Sequence, residues 1–496
     1  VANIIYKEWL PDQPELNNPG LVRAQNVLPS SSGYEPYRPL GATAGAAGTI
    51  PSSSNITGAF MALGVFSGFQ VAEVHAASGQ LLFTGIDSGS INFSTAGSRT
   101  NSAAIADQFV QFDNLVIVAG DRNKPYFRTA GSFGSTYTAL GVSGTNNSAR
   151  AIGVINRFVV LGNMNATASA ATSGANANEY LLRWSGIDQP TSWPVANSAT
   201  ATAQQSGEQF LPSRFGPIYA IYGGDQYGII MQQSGISRMT YVGPPVVFQF
   251  DSIDETRGCY YPGSSVQAGK FVYFVSENGF YRTDGVGIEN IGEGKVNKFF
   301  ENDTDPGLTS FDFSCGYDSQ KDLIYFAYTT SGAFNYLDTM LIFSPSSGNW
   351  GRASDNVDKL VSQKRSEGDP RSPLLAFNSA SPRRIGRFNQ TAGSAVLETG
   401  DMELAEGGRG YIDGIKPHVE SSGTAPAIGV RIGIRNDLGT TPTYTSTAGP
   451  HSRTGFANFR DKGITDGKYA RVELNITGNF RKAIGFELDG SPSGEA

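Results

Sequence analysis

The stretch KFVYFVSENGFYRTDG, residues 270–285, decides the fold. Its first half is dominated by aromatic and β-branched side chains, which suit the pleated, half-buried surface of a strand. Asn278-Gly279 interrupts the run with a dipeptide that supplies the positive φ of a type I′ turn. Aromatic residues resume at Phe280 and Tyr281, and Asp284-Gly285 ends the second strand. The reading is a tight antiparallel hairpin.

Outward from this hairpin the same texture fills residues 57–399. Runs such as AFMALGVF (59–66), QFVQFDNLVIVAG (108–120), RFVVLGN (157–163), EYLLRWSG (179–186), PIYAIYGG (217–224), DLIYFAYTT (322–330) and TMLIFSP (339–345) alternate with Gly, Ser, Asn and Asp clusters. Each is about strand length. A turn at 318–321 joins two of them. Units begin near Thr57, Ile105, Ala149, Pro217, Gly263 and Phe311. That spacing is near the ~40 to 50 residues of a four-stranded propeller blade, with insertions. The expected fold is therefore all-β, a six-bladed β-propeller over 57–399. PLLAFNS (373–379) and RRIGRFN (383–389) form a final pair able to close the ring. A stack of β-sandwiches is the alternative.

Within residues 1–56, the first forty carry prolines at 11, 14, 19, 29, 36 and 39, which forbid a long helix. They read as an extended arm with one or two short strands, followed by the linker GATAGAAGTIPSSSN (41–55). NMNATASAATSGANAN (163–178) and DNVDKLVSQKRSEGDPRS (355–372) read as loops. Residues 400–496 read as a separate small β-sandwich. Within it Val430-Arg431-Ile432-Gly433-Ile434-Arg435 alternates as a half-solvated strand does.

Composition narrows the function classes. With 61 glycines among 496 residues and a charged fraction of 16%, the chain does not read as helical. Its 37 basic against 44 acidic residues give a net charge of −7, which removes the basic stripe of a sequence-reading DNA-binding protein. No apolar run reaches the ~18 residues of a membrane span. Lys7 and Glu8 stand where a signal peptide needs an apolar stretch.

The chemical motifs give little. His75, His418 and His451 stand apart from ligand-spaced partners and read as packing or solvent-facing residues. Cys259 and Cys315 read as buried small hydrophobes, and two cysteines cannot make a disulfide framework. Gly294-Lys295 lacks the flanking residues of a phosphate loop, since Glu289 and Val296 occupy the deciding positions. ENDTDPG (301–307) lacks a calcium-loop ligand series and reads as an acidic turn. SPSSGNW (344–350) has the outline of a sialidase-type turn without its aspartate, and reads as a turn between blade strands. KPYFR (124–128), NFRDK and NFRK read as cross-strand charge on solvated faces. No catalytic, cofactor-binding or metal-ligating residue is nominated, and the chain is expected not to be an enzyme.

Several strings resemble a family of virion proteins from short-tailed bacteriophages. NNPGLVRAQNVLPSSSGYEPYRPL (17–40) is similar to that family's opening pattern. YLLRWSGIDQPTSW (180–193) is similar to its Arg-Trp-Ser element. The longest similarity runs from GPIYAIYGG through RMTYVGPP and FQFD to FYRTDG (216–285), continuing to IGEGKVNKFF. GRGYIDGIKPHVE (408–420) resembles the family's tail-end domain. The resemblance is to tail nozzle proteins, also described as tail tubular protein B-like or phage stabilisation protein-like.

That resemblance implies a structural component of the virion. It implies a homo-oligomer, a hexameric ring below the head-to-tail adaptor, through which double-stranded DNA passes during ejection. Tail fibres or tailspikes and a tail plug or needle are the implied further partners. The implied location is the phage tail, and the host cytoplasm during assembly. No cofactor is implied. A net-acidic ring would repel a duplex and let it slide. The alternatives are a propeller glycosidase or sialidase-like enzyme and a glycan-binding receptor protein.

Overall fold

The computed structural model describes residues 2–42, 56–67, 69–77, 80–85, 94–98, 107–120, 124–132, 134–144, 146–166, 178–304, 313–330, 336–362, 374–378, 385–406, 408–421, 423, 425–451, 457–459 and 465–495. Most of the predicted linker 41–55, the core of the insertion 163–178 and residues 363–373 lie outside the described residues.

Among the described residues, five antiparallel, four-stranded sheets follow one another along the chain. The first blade comprises Gly58–Phe66, Phe69–Ala77, Gln80–Gly85 and Ser94–Ser98. The second comprises Gln108–Phe112, Leu115–Ala119, Tyr126–Thr129 and Thr138–Ala139. The third is built from Asn146–Ile155, Phe158–Ala166, Leu181–Trp184 and Gly207–Phe210. The fourth has Ile218–Tyr222, Tyr227–Gln232, Ile236–Gly243 and Val247–Asp254. The fifth has Ser265–Ala268, Phe271–Ser276, Gly279–Thr283 and Ile288–Asn290. Their first strands line one common cavity, and buried apolar side chains fill the gaps between neighbours. Leu81 and Phe83 meet Val116 and Val118 between the first two blades. Ile152 and Leu161 meet Ile117 and Ala119 between the second and third. Ile155 and Val160 meet Ile221 and Ile230 between the third and fourth, and Met231 and Ile236 meet Val272 and Phe274 between the fourth and fifth. This is a β-propeller, as expected.

The count of six blades is corrected: five blades are sheets of their own. The sixth predicted unit, Phe313–Asp318, Leu323–Tyr328, Leu337–Phe343 and Trp350–Val361, is a meander inside a fourteen-stranded sheet. The cause is the length of Trp350–Val361, twelve residues. Near its start Arg352 pairs in parallel with Gln25 of the strand Leu21–Gln25. Its far end, from Val357 to Val361, pairs with Leu375–Asn378. That half carries the sheet on to Ile385–Phe388 and then to Leu40–Ala42. Val361, Leu375, Phe377 and Ile385 pack against Met61, Val74 and Leu82 of the first blade. The predicted final pair therefore does close the ring, with an N-terminal strand as its outer edge. The predicted loop over 355–372 is corrected for 355–361, which are strand.

The arm is also more ordered than expected. It holds five strands, Ala2–Ile5, Leu21–Gln25, Val27–Ser30, Gly33–Pro36 and Leu40–Ala42, instead of one or two. Proline tolerated at strand edges and starts explains why the sequence understated them. Leu21–Gln25 lies between Trp350–Val361 and Ser394–Thr399, and the sheet continues through Tyr469–Thr477 to Ala427–Arg435. Val27–Ser30, Gly33–Pro36 and Ala2–Ile5 join Phe480–Glu495 and Gly408–Ser421 in a seven-stranded sheet. The two sheets share one core, where Ile412, Ile415 and Phe486 meet Ile432, Val472 and Leu474.

Candidate functional site

Two concavities and one apolar face stand out. The first concavity is axial, about 540 Å³, lined by the opening strands of the blades through residues such as Phe60, Gln111, Val154, Tyr222 and Gln267, together with Tyr317 and Leu360. Gln111 Nε2 donates to the Leu63 carbonyl and its Oε1 accepts from Leu63 N, stitching two of these strands together. The axis is thus tied inward by side-chain hydrogen bonds.

The second concavity is larger, about 1090 Å³, and lies at the edge of the fourth and fifth blades. Three loops build it. The hairpin tip Glu277-Asn278 joins Phe271–Ser276 to Gly279–Thr283, with Ser276 facing Gly279. The turn is therefore one residue earlier than the Asn278-Gly279 reading, and Gly279, at φ +121°, already opens the next strand. A Cβ there would collide with the Asn297 side chain, whose Oδ1 accepts from Phe280 N and whose Nδ2 donates to the Asn278 carbonyl. The second loop carries Tyr260, Tyr261 and Pro262 between the two blades. The third ends in the short helix Asn297–Asp303.

The arm completes the wall. Asp12 accepts from the backbone N–H groups of Lys298 and Phe299, Gln13 donates to the Gly294 carbonyl, and Lys295 pairs with Glu8 at 2.6 Å. Tyr219, Gln233, Tyr260 and Tyr261 are half-buried in the groove, while Glu277, Asn278, Glu293, Glu301 and Asn302 stand exposed around it. Burial pushes the Tyr261 phenol up, and the Tyr260 phenol and the nearby Glu277 and Glu301 carboxylates add to it.

The apolar face follows from strand polarity. In a meander, the turn after the first strand and the turn after the third lie at the same end. Val65 and Phe66 end a first strand. Val242, Val246 and Val286 sit at turns between third and fourth strands. All five are exposed, Val286 by 74%, so they crown one side of the propeller. Gln233 and Glu277-Asn278, at turns between second and third strands, place the groove on the opposite side.

The residues singled out from sequence do not converge on either concavity as chemistry. His75 is fully buried between the first two blades, as a packing residue would be. Sequence spacing nevertheless missed its partner two positions away on the same strand face. Glu73 Oε2 lies 3.2 Å from His75 Nε2 and 2.7 Å from Arg128 Nη1. His75 Nδ1 and the Tyr137 hydroxyl share a 2.7 Å hydrogen bond. Burial opposes ionisation of Glu73, but His75 and Arg128 outweigh it and hold its carboxyl below the usual range. Burial likewise pushes the His75 pKa down, against the pull of Glu73.

Arg128, expected on a solvated face, is buried instead, with its guanidinium over Phe83. Cys259 is buried and its thiol pushed up by burial; Cys315 is partly buried and behaves likewise. The 344–350 segment is a turn, and its Trp350 packs fully buried with Nε1 donating to the Ile291 carbonyl. The acidic-turn reading of 301–307 is corrected in part, because Glu301 to Asp303 end a helix. Asp303 there accepts from Arg352 and Tyr328. Arg435, expected to be half-solvated, is buried against Asp401 and Glu15. Among the described residues no group of three or more His, Cys, Asp or Glu side chains is placed to hold a metal.

Fold and sites together define a β-propeller protein with a woven two-sheet appendage and one wide polar groove. No family model matches the sequence, and no curated protein matches it in sequence. Among solved structures it is similar to the computationally designed Ika8 protein, with 12% identity, 69% of this chain and 99% of that chain covered, and a TM-score of 0.35. It is also similar to BamB from Moraxella catarrhalis, with 12% identity, coverage of 78% and 98%, and a TM-score of 0.37.

Proposed function

We propose that this chain is a structural virion protein of a short phage tail, a nozzle subunit that assembles with copies of itself into a hexameric ring below the head-to-tail adaptor. The reading rests on the placement of the nozzle-like strings. The similarity over 216–285 spans the fourth blade and most of the fifth. Val27–Ser30 and Gly33–Pro36 of the string at 17–40 and the string at 408–420 fall in strands of the same seven-stranded sheet, on either side of Phe480–Glu495, while Leu21–Gln25 lies in the fourteen-stranded sheet. Strings this far apart in sequence therefore belong to contiguous structural units.

In this reading DNA does not use the propeller axis. An axial space of about 540 Å³ is far too small for a duplex, so the duplex passes through the centre of the ring. The apolar turns Val65, Phe66, Val242, Val246 and Val286 are the surface offered to neighbouring subunits or to the adaptor. Tail fibres or spikes and the tail plug take other faces, and the chain turns over no substrate.

Electron microscopy of particles that carry this chain tests the proposal. A ring of copies coaxial with the tail is expected. Density for the chain away from the tail axis, or as isolated single copies, overturns it.

A further inference from the structure

We propose that the groove between the fourth and fifth blades binds an oligosaccharide built of neutral or amino sugars. The inference rests on the groove itself and stands whether or not the chain forms a ring.

On the same two blades, outside the groove, several carboxylates are paired, Glu255 with Arg214, Glu289 with Arg282 and Asp251 with Arg238, although Asp225 in the first turn of the fourth blade is not, among the described residues. In the groove, the Glu277, Glu293 and Glu301 carboxylates and the Tyr219, Tyr260 and Tyr261 hydroxyls have no hydrogen-bond or ion-pair partner among the described residues. They form a converging set of acceptors and donors that the fold itself does not use. Sugar hydroxyls, each both donor and acceptor, are matched to such a set.

The shape of the groove also suits a sugar. Half-buried tyrosines combine an apolar ring with a polar tip, and Tyr260 and Tyr261 stand edge to face at 5.0 Å. The C–H face of a pyranose packs on such rings while its hydroxyls reach the carboxylates and the Gln233, Asn278 and Asn302 amides. A volume of about 1090 Å³ exceeds the ~300–1,000 Å³ of ordinary small-molecule pockets, so the site fits a short chain of sugars better than one ring.

The charge of the groove selects among sugars. Asp12 is committed to capping the helix. The remaining charges that line the groove are Glu277, Glu293 and Glu301 against Lys298 alone. That excess disfavours phosphate, uronic acids and sialic acids, and favours uncharged or protonated amino sugars.

The test uses the full chain, fluorescently labelled, on an array of bacterial surface oligosaccharides, followed by calorimetric titration with the oligosaccharide that binds best. Binding to neutral or amino-sugar chains is expected, with acidic chains unbound. Tyr260→Ala and Glu277→Gln should each weaken it at least tenfold with unchanged melting temperature, and Glu255→Gln should not. If Tyr260→Ala fails to fold, Glu301→Gln replaces it. No binding at millimolar sugar, a preference for acidic sugars, or binding insensitive to both groove substitutions overturns the inference. Ring formation is read separately by microscopy, so loss of one reading leaves the other standing.

Discussion

At the residue scale the Glu73–His75–Arg128 cluster is the most exacting feature. A carboxylate with no solvent exposure is tolerable here because the Arg128 guanidinium and the Gly131 N–H bond to it, with His75 Nε2 3.2 Å away. Removing one partner strands a buried charge, which typically costs about 3–5 kcal/mol. Arg128→Met should therefore lower chemical-denaturation stability by about that amount, and Glu73→Gln combined with it should recover part of the loss. The same cluster sets a pH dependence. The groups facing His75 are Glu73, Arg128, Phe83 and Tyr137. Its folded pKa is depressed, so below the ordinary value of 6.5 the unfolded chain binds a proton that the folded chain refuses. Stability is full above that value and falls as pH drops through the window beneath it. Melting temperatures between pH 7.5 and 5.5 should decline for the native chain and decline less for His75→Gln.

At the element scale the hairpins were legible and their junctions were not. Each blade opens within three residues of the start read from sequence, because alternating apolar residues and Asp- or Gly-bearing turns are local signals. Asp318, for instance, accepts from Gln320 N and Lys321 N at the predicted turn. The fusion of the sixth meander was illegible, because nothing in Trp350–Val361 announces that its two halves choose different neighbours. The groove was illegible for a related reason. Tyr260 and Glu277 come together because the loop that enters the fifth blade folds back on it, Tyr260 N donating to the Val275 carbonyl, although Tyr260-Tyr261 outside an alternating strand was a local hint. The edge strand Leu40–Ala42 is testable on its own. A side chain at Gly386 would meet the Gly41 carbonyl, so Gly386→Val should push that strand off Ile385–Phe388. Overpacking of this kind costs about 1–3 kcal/mol. Limited proteolysis should then cut the chain near residue 40 well before the native protein is cut.

At the scale of the whole molecule the two sides of the propeller differ in character, one crowned by valines and Phe66, the other holding the polar groove. If the apolar crown mates with other subunits, Val246→Asp and Val286→Asp should leave circular dichroism and melting temperature within error of the native chain. They should also reduce the assembled fraction measured by light scattering at equal concentration. Unchanged assembly would assign the contacts to another surface.

The pairing of Ala2 with Leu488 sets a schedule for biosynthesis. A ribosome making this chain emits the early strands long before their companions exist. The blades, built from near neighbours, are free to form as they emerge, but the appendage must wait for Phe480–Glu495. Contacts of such long sequence separation form slowly. The early strands, with unpaired edges, are the part most in need of a chaperone while translation is under way.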